Sequence, residues 1–471
     1  MEQKVKIVAT LGPASDSPEI IRALIAAGAD VFRLNFSHGT HESHSRAFEA
    51  VRREAKAAGL HTAVLADMCG PKIRVGEVAG GGVPIAAGDA IELTTAKIVG
   101  DARRVSTTYA PLPRDVRPSD RILLDDGLLE LEVTSIAEEV VRCRVIVGGI
   151  LKSHKGMNIP GAPLSTPALT EKDRDDLMFA RELGTDYAAL SFVRRPEDVL
   201  EAKAIAGDVP VIAKIEKPEA IAKLDAIIAA SDGIMVARGD LGVEAGAEQV
   251  PLLQKRMVRD SVSAGRPVIV ATQMLDSMIH NPRPTRAEVS DVANAVLDGA
   301  DAVMLSGETA SGAYPVEAVR EMAAIIREVE GSELFHALPH PVRVSEYTFS
   351  NAIARAAISA AAELKLKALA VYTESGHSAS LVSSCRPQDL AIVALSRHDH
   401  VLRRLNLRWG VRPIHAGWVE GVHGVVIQAE RILLDCGDAE VGDDIAITFG
   451  MQDANGPGRT DVLKLWRIKG E

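Results

Sequence analysis

Lys214, Glu216 and Asp240 stand at the ends of two short apolar segments, residues 211–216 and 236–242. The first segment is typical of a β-strand, on which residues two positions apart point to the same face. The second is typical of the next strand, followed by a glycine and Asp240. Two carboxylates suit Mg²⁺, which keeps its other positions for water and substrate oxygens. A lysine beside them can stabilise negative charge on a transferring phosphoryl group or an enolate.

A purely structural ion pair is the alternative interpretation for Lys214 and Glu216. A lone Lys-x-Glu sequence favours that alternative, because salt bridges between neighbouring side chains are common. Here, however, three charges stand at the ends of two successive predicted strands. A catalytic site explains that arrangement better than an isolated ion pair does.

A second set of polar residues follows two further apolar segments, residues 31–35 and 62–67. Arg33 and Arg74 carry guanidinium groups that can bind a phosphate through two parallel hydrogen bonds. Oxygen ligands for a cation are offered by Asn35, Ser37 and Asp67. Arginines often form surface ion pairs, but positions next to buried strands favour a functional role for these two.

His38 and Thr272 each allow two interpretations. His38 can contact a nucleotide phosphate, or it can be a solvated loop residue. The hydroxyl of Thr272 can orient a carboxylate or relay a proton, or it can cap the helix that follows its strand. The residues alone leave both alternatives open.

The elements that position these residues are visible as an alternation of short β-branched segments with alanine-rich helical segments. The predicted strands are residues 4–10, 31–35, 62–67, 187–192, 209–216, 233–237, 268–272 and 302–305. Such alternation predicts a parallel sheet, and eight units in about 250 residues favour a closed (β/α)8 TIM barrel. The chemistry is then expected at the carboxyl ends of the strands, where the polar residues occur.

The alternation is interrupted between residues 71 and 165, where glycine, valine and turn residues replace the helical pattern. Short strands joined by hairpins predict an inserted small β-barrel domain. Over the barrel mouth, this domain can act as a lid that excludes water. The predicted domains are a barrel of residues 1–70 and 166–341, a lid domain of residues 71–165, and a C-terminal α/β domain of residues 342–471.

The C-terminal domain contains a loop rich in serine, threonine and glycine, residues 373–378, between a predicted strand and a predicted helix. Backbone N–H groups at the start of a helix can bind a phosphate. Such loops are also common as plain turns, so the loop alone indicates a phosphate site without establishing one.

Composition restricts the class of protein. The chain has 471 residues, and its net charge of −11 gives no support for nucleic-acid binding. The four cysteines are scattered, so neither a disulfide framework nor a zinc site is predicted. The sequence shows no apolar signal region and no apolar segment long enough to span a bilayer. These features predict a cytoplasmic enzyme that binds neither membranes nor nucleic acids.

Nine short motifs, in order along nearly the whole chain, resemble those of the pyruvate kinase family. They are residues 6–13 (KIVATLGP), 33–39 (RLNFSHG), 70–74 (GPKIR), 155–161 (KGMNIPG), 213–216 (AKIE), 237–242 (ARGDLG), 271–275 (ATQML), 283–288 (RPTRAE) and 305–309 (LSGET). The resemblance implies a reaction of phosphoenolpyruvate with ADP to give pyruvate and ATP, with Mg²⁺ or Mn²⁺ as the metal ion.

The resemblance also implies a role for each matching residue. Lys214 would stabilise the transition state, and Glu216 and Asp240 would hold the metal ion. The implied phosphoenolpyruvate contacts are Arg33, Gly239, Asp240 and Thr272, with Thr272 near the face on which the enolate is protonated. The implied contacts to the phosphates of ADP or ATP are Asn35, Ser37, His38, Arg74 and, from the lid domain, Lys155.

Lys72 departs from the common family pattern, in which a glutamate stands at this position and a potassium ion is bound. The family's potassium ligands correspond here to Asn35, Ser37, Asp67 and position 68. Met68 supplies no hydroxyl, and the ammonium of Lys72 can replace the monovalent charge. We therefore expect activity without potassium. Lys217 also departs from the family, which often has asparagine at this position. Nothing in the sequence explains this difference.

The last domain resembles the family's effector domain. This implies activation by a phosphorylated effector, with contacts from Thr373, Ser375, Gly376, His377, Ser378 and, on a facing loop, Arg459. The family also implies a homotetramer. A phosphoenolpyruvate-using dikinase, a carbon–carbon lyase and a regulatory homologue without turnover are the rival interpretations. The chain leaves no room for a dikinase's additional domains, a lyase explains neither Lys155 nor the phosphate loop, and the intact catalytic residues disfavour the regulatory homologue.

Overall fold

The computed structural model describes residues 3–162, 164–337, 348–451 and 460–470. Eight parallel strands form a closed barrel, which confirms the predicted fold. They are Lys6–Thr10, Val31–Asn35, Ala63–Asp67, Tyr187–Leu190, Val211–Ile215, Gly233–Ala237, Val268–Ala271 and Ala302–Leu305. Each strand pairs with the next barrel strand, and the last pairs with the first at Lys6 and Ala302. Their side chains are almost all buried, as expected for a parallel sheet covered by helices.

Helices surround the barrel and complete its β/α units. They are Pro18–Ala27, His41–Ala57, Glu171–Leu183, Pro196–Ala206, Pro218–Ala222, Leu224–Ala230, Arg238–Ala245, Val250–Ser263, Arg286–Leu297, Gly307–Ala310, Pro315–Glu330 and Glu333–Ala337. Hydroxyl side chains cap the first turns of several of them, including Ser17, Thr40, Thr170 and Thr285. These caps satisfy backbone N–H groups that have no partner inside the helix, and so fix where each helix begins.

In its described residues, the lid domain contains strands, one 3₁₀ turn (Ala79–Gly81) and one short helix (Leu112–Asp115). A six-stranded sheet contains, in spatial order, Met157–Asn158, Arg121–Leu124, Leu129–Ala137, Val140–Val147, Ala90–Thr94 and Arg104–Ser106. A two-stranded sheet pairs Gly82–Ile85 with Gly149–Lys152. Both sheets contribute to one hydrophobic core, which includes Ile85, Leu151 and Leu131. A core of its own allows this domain to be positioned as a unit.

The C-terminal domain is a five-stranded sheet with helices. Its strands, in spatial order, are Val411–His415, Ala391–Ser396, Ala368–Tyr372, Asp444–Phe449 and Val462–Arg467, of which only the last is antiparallel to its neighbour. Its helices are Phe349–Leu364, His377–Ser384, Asp399–Leu405 and Gly421–Cys436. The proposed boundary between residues 341 and 342 lies outside the described residues.

Buried polar contacts join the C-terminal domain to the barrel. Arg386 donates from Nη1 and Nη2 to the two carboxylate oxygens of Asp301, at 3.1 and 2.9 Å. Asp301 precedes the last barrel strand and also accepts a hydrogen bond from the backbone of Trp409. The hydroxyl of Tyr187 donates to the carbonyl oxygen of Arg404 at 2.7 Å. The barrel end opposite the candidate site is therefore fixed to this domain.

Candidate active site

A cavity of about 140 Å³ lies at the carboxyl ends of the barrel strands. Most of the residues predicted from the sequence line it: Arg33, Asn35, Ser37, His38, Asp67, Lys72, Arg74, Lys214, Glu216, Asp240 and Thr272. These residues are spread over more than 200 positions of the chain, and the barrel brings them together because parallel strands end at one rim. The cavity is the molecule's candidate active site.

Lys214 lies at the centre of the charged groups in this cavity. Its Nζ is 3.1 Å from Oδ1 of Asp67 and 3.1 Å from Oε1 of Glu216. It also donates a hydrogen bond to Oγ of Ser191 at 2.7 Å. Burial disfavours the ammonium, but the carboxylates of Asp67 and Glu216 outweigh burial and raise the pKa of Lys214. Lys214 is therefore always charged, and these contacts fix the position of its ammonium group.

Arg33 is oriented by the same aspartate. Its Nε donates to Oδ2 of Asp67 at 2.6 Å, and its Nη1 donates to Oγ1 of Thr10 at 3.2 Å. Burial alone would raise the pKa of Asp67, but Lys214 and Arg33 hold that pKa below its usual range. Asp67 thus remains ionised and orients two cations at the cavity floor.

Glu216 lies directly after strand Val211–Ile215 and is buried. Its Oε2 accepts a hydrogen bond from the backbone N–H of Phe192 at 2.7 Å. Burial raises the pKa of Glu216, and the nearby Asp240 carboxylate adds to the effect although Lys214 opposes it. Two carboxylates, those of Glu216 and Asp240, therefore influence each other in this cavity, and a bound divalent cation would stabilise the ionised form of both.

The donor set fits a magnesium ion that shares its coordination with a substrate. Glu216 and Asp240 both line the cavity and offer carboxylate oxygens. Within the described parts of the chain, no cluster of three or more His, Cys, Asp or Glu side chains forms a metal site. Two carboxylates suffice for Mg²⁺ when phosphate oxygens and water complete the octahedron.

Helix Arg238–Ala245 begins directly at the end of its barrel strand and carries Asp240 in its first turn. Lys72, from the lid domain, has its Nζ 4.0 Å from Oδ1 of Asp240. Lys72 lines the same cavity as Asn35, Ser37 and Asp67. The lysine predicted to replace a monovalent ion is thus placed among the expected ion ligands and beside a candidate magnesium ligand.

Thr272 occupies a strained backbone conformation at the end of its strand. Its φ is 71°, which is unfavourable for a β-branched residue. Two contacts hold it there: the N–H of Gly239 donates to Oγ1 of Thr272 at 2.8 Å, and Nη2 of Arg238 donates to the Thr272 carbonyl oxygen at 2.7 Å. Backbone strain of this kind clusters at functional sites. These contacts also bring Gly239 and Thr272 together, as predicted.

The candidate nucleotide residues divide between the barrel and the lid domain. In the barrel, Oδ1 of Asn35 accepts from the N–H of Ser37 at 3.1 Å. Burial and the nearby cations, Arg74 first among them, lower the pKa of His38. In the lid domain, Lys155 pairs with Asp125 at 2.8 Å and does not line the cavity. Of the predicted nucleotide contacts, the structure thus brings all but Lys155 to the cavity wall.

Four residues of the site were not assigned a role from the sequence. Ser191 binds Lys214, Phe192 binds Glu216 through its backbone, Thr10 binds Arg33, and Arg238 binds the Thr272 backbone. The polar ends of predicted strands give a signal for Thr10 and Ser191. Phe192 contributes its backbone N–H, in a conformation with φ of 55°. Its residue type therefore could not have predicted this contact.

A second, larger cavity of about 420 Å³ lies in the C-terminal domain. Its lining includes the predicted effector residues Thr373, Ser375, His377 and Ser378. Gly376, at φ 85°, donates its N–H to Oγ1 of Thr373 at 2.9 Å and begins the turn into helix His377–Ser384. Arg397 and Trp418 also line the cavity and were not predicted. Arg459 lies outside the described residues.

Comparison with protein families identifies the class of enzyme to which this cavity and its charged residues belong. Residues 2–319 match the family model for the pyruvate kinase barrel domain, and residues 351–466 match that for the pyruvate kinase alpha/beta domain. The chain belongs to the pyruvate kinase family. The enzyme is thus a phosphotransferase, and the family's substrates are phosphoenolpyruvate and ADP.

Individual pyruvate kinases resemble the chain over its whole length. It is 46% identical over 472 residues to the pyruvate kinase of Mycobacterium intracellulare, a match that covers 99% of each chain. It is 40% identical to the pyruvate kinase of Clostridium perfringens, over 99% of this chain and 100% of the relative. The crystal structure of a pyruvate kinase from Cryptosporidium parvum superposes with a TM-score of 0.90 at 35% identity, covering 99% of this chain and 96% of that one. Among the described residues, no helix has the length and apolar character needed to cross a membrane.

Proposed function

We propose that the protein transfers the phosphoryl group of phosphoenolpyruvate to ADP, giving pyruvate and ATP, in the barrel cavity. The observation that carries this proposal is the position of Lys214, which lies 3.1 Å from Asp67 and from Glu216. A cation that is held by carboxylates before the substrate arrives needs no reorganisation when charge develops in the transition state. Phosphoryl transfer depends mainly on such positioning and charge stabilisation.

Each cavity residue has a defined task in this mechanism. Lys214 stabilises the negative charge on the phosphoryl group in the transition state of the transfer. Arg33 binds the phosphate of phosphoenolpyruvate. Glu216 and Asp240 would hold Mg²⁺ or Mn²⁺, which supplies positive charge to the phosphoryl oxygens when bound. Transfer leaves enolpyruvate, which takes a proton at carbon. Thr272, together with the backbone of Gly239, orients the carboxylate of phosphoenolpyruvate. Thr272 also lies near the face on which the enolate is protonated.

The nucleotide is assigned to the rim between the barrel and the lid domain. Asn35, Ser37, His38 and Arg74 provide hydrogen bonds and positive charge to the phosphates of ADP. The lid domain covers the cavity and excludes water. Lys155 reaches the phosphates when it leaves its pair with Asp125. The ammonium of Lys72, 4.0 Å from Asp240, supplies the monovalent charge, so that potassium is not required.

The C-terminal cavity is assigned to a phosphorylated effector. The start of helix His377–Ser384 offers backbone N–H groups, and Ser375 and Ser378 offer hydroxyls for a phosphate. Arg397 adds a guanidinium group to the same cavity. We further propose that the protein acts in the cytoplasm as a homotetramer.

Magnesium dependence of pyruvate formation tests the catalytic assignment. Rates are measured over a range of Mg²⁺ concentrations for the wild type and for Glu216→Gln and Asp240→Asn. We expect each variant to need much more Mg²⁺ and to lose turnover, because one carboxylate ligand becomes neutral. Glu219→Gln is the matched control, since Glu219 is exposed on the next helix. Unchanged magnesium dependence in both site variants would overturn the assignment of these two ligands.

A further inference from the structure

A buried polar cluster joins the lid domain to the barrel outside the assigned site. The Nζ of Lys217 lies 2.6 Å from Oε1 of Glu244, and their side chains are only 10% and 1% exposed. The same Oε1 accepts a hydrogen bond from Nδ2 of Asn158 at 2.8 Å. Lys217 and Glu244 belong to the barrel, whereas Asn158 belongs to the lid domain. One buried carboxylate oxygen therefore receives a cation from one domain and an N–H donor from the other.

The two barrel residues of this cluster are chain neighbours of the candidate metal ligands. Lys217 directly follows Glu216. Glu244 lies four residues after Asp240, one turn further along helix Arg238–Ala245. The ion pair therefore connects the two segments that carry the metal carboxylates. A buried pair with short contacts restrains its two segments because separating them would leave charges without partners.

Asn158 lies three positions after Lys155, which is assigned to the nucleotide. Strand Met157–Asn158 follows Lys155 by two residues. The carbonyl oxygen of Lys155 accepts from the N–H of Val75 at 2.9 Å, and Arg74 pairs across a β-bridge with Gly156. Fixing Asn158 to the barrel thus fixes the backbone that carries both Lys155 and Arg74.

A separate contact holds the chain where it returns from the lid domain to the barrel. Arg194, on the barrel, donates from Nη1 to the Leu164 carbonyl oxygen at 2.9 Å and from Nη2 to the Thr166 carbonyl oxygen at 2.5 Å. These bonds fix only the connection between the two domains.

Two contacts attach the lid domain on the cavity side: the hydrogen bond of Asn158 to Glu244 at 2.8 Å and the partly exposed pair of Lys72 with Asp240 at 4.0 Å. The hydrogen bond is the shorter contact, and its acceptor is buried.

We propose that Asn158, Glu244 and Lys217 form a latch that holds the lid domain against the barrel and positions its nucleotide-binding residues. Lys217 and Glu244 form the fixed half, and Asn158 is the half that moves with the lid domain. All three are positioning residues, since they act on the reaction through Lys155, Arg74 and the metal-ligand segments. The proposal rests on the proposed function in assigning Lys155 and Arg74 to the nucleotide.

Steady-state kinetics of Asn158→Ala test the latch. This variant keeps the Lys217–Glu244 ion pair, so the barrel retains its buried charge compensation. We expect the KM for ADP to rise about tenfold, the scale of one hydrogen bond to a charged group, while the KM for phosphoenolpyruvate changes little. Amide hydrogen exchange in the lid domain should become faster in the same variant. Thr134→Ala is the matched control, because its hydroxyl bonds within the lid domain, to Arg142, and we expect wild-type values.

Two further variants separate the latch from the function on which it rests. Glu244→Gln should also raise the KM for ADP, and the double variant with Asn158→Ala should show less than the sum of the two effects, because both act through one oxygen. Lys155→Ala tests the nucleotide assignment alone. If it raises the KM for ADP but Asn158→Ala does not, the latch is overturned and the nucleotide site stands. If neither variant changes that KM, the nucleotide assignment fails as well.

Discussion

Lys214 and Asp67 form a buried ion pair in which Nζ lies 3.1 Å from Oδ1. The other oxygen of Asp67 accepts from Nε of Arg33 at 2.6 Å. A single aspartate thus orients the two cations that we assign to the phosphoryl group. Because both contacts are buried, little solvent screens them. The positions of these cations are therefore set before any substrate binds.

Replacing Lys214 by methionine should abolish most turnover. Loss of one preorganised donor to a developing charge typically lowers kcat by about 10²–10³-fold. Turnover of pyruvate from phosphoenolpyruvate and ADP measures the effect, with circular dichroism confirming the fold. Lys203→Met provides the control, because Lys203 forms a partly exposed pair with Asp232 at 2.8 Å, next to the amino-terminal end of a barrel strand and far from the cavity. Equal loss in both variants would show that the effect is structural.

Potassium dependence tests the assignment of Lys72. In tetramethylammonium buffer with Mg²⁺, we expect the wild type to turn over equally with and without added potassium. Lys72→Glu should become potassium-dependent, since it removes the ammonium next to Asp240 and adds a negative charge. Lys152→Glu changes an exposed lysine of the lid domain and should remain independent of potassium. A wild type that works only with potassium would disprove this role of Lys72.

Adding negative charge to the C-terminal loop should prevent activation by phosphorylated metabolites. Ser375→Asp and Ser378→Asp place carboxylates where a phosphate is expected, and the repulsion should raise the half-activating concentration by about tenfold or more. Activation curves with sugar phosphates and nucleotides measure this change. Ser290→Asp adds the same charge on an exposed barrel helix. If both loop variants respond like the wild type to every compound, the effector site lies elsewhere.

Two arginine–aspartate pairs should differ sharply in their contribution to stability. The Arg386–Asp301 pair between domains is buried, with side chains 3% and 4% exposed, whereas Arg467 and Asp444 are 71% and 39% exposed. Arg386→Met leaves Asp301 buried without its cation and should cost about 3–5 kcal/mol. Arg467→Met should change stability little, because solvent screens an exposed pair. Thermal unfolding midpoints compare the two, and similar shifts would contradict the assigned difference in burial.

Tyr187 should make the native state less stable in strong alkali. Burial raises the pKa of Tyr187 to about 12, against an unfolded value of about 10. The native state therefore retains the phenol proton more tightly than the unfolded state does. The resulting contribution of Tyr187 to the free energy of unfolding is complete below about pH 10 and is lost as the pH rises towards about 12. The tyrosinate absorbance of the wild type minus that of Tyr187→Phe should show a transition near pH 12. A transition near pH 10 would mean that the phenol is accessible to solvent.

The barrel strands were predictable because local patterns determine them. The segments 31–35, 233–237 and 302–305 have the same bounds in the structure as in the prediction. Each is a mainly apolar run with at least one β-branched residue, and polar or turn residues end it. One strand of the C-terminal domain was not predicted. Strand Val411–His415 was missed because it contains Arg412, Pro413 and His415, a composition that an edge strand tolerates but that does not resemble a buried one.

The sequence by itself determined the fold, the family and which charged residues reach the strand ends. Only the tertiary structure decided which side chains meet: Asn158 with Glu244, 86 positions away, Arg238 with the Thr272 backbone, and Tyr187 with Arg404. The physical reason is that periodicity reports which face of an element is buried. Partners across elements depend instead on strand register and on the placement of one domain on another, which arise only when the whole chain packs.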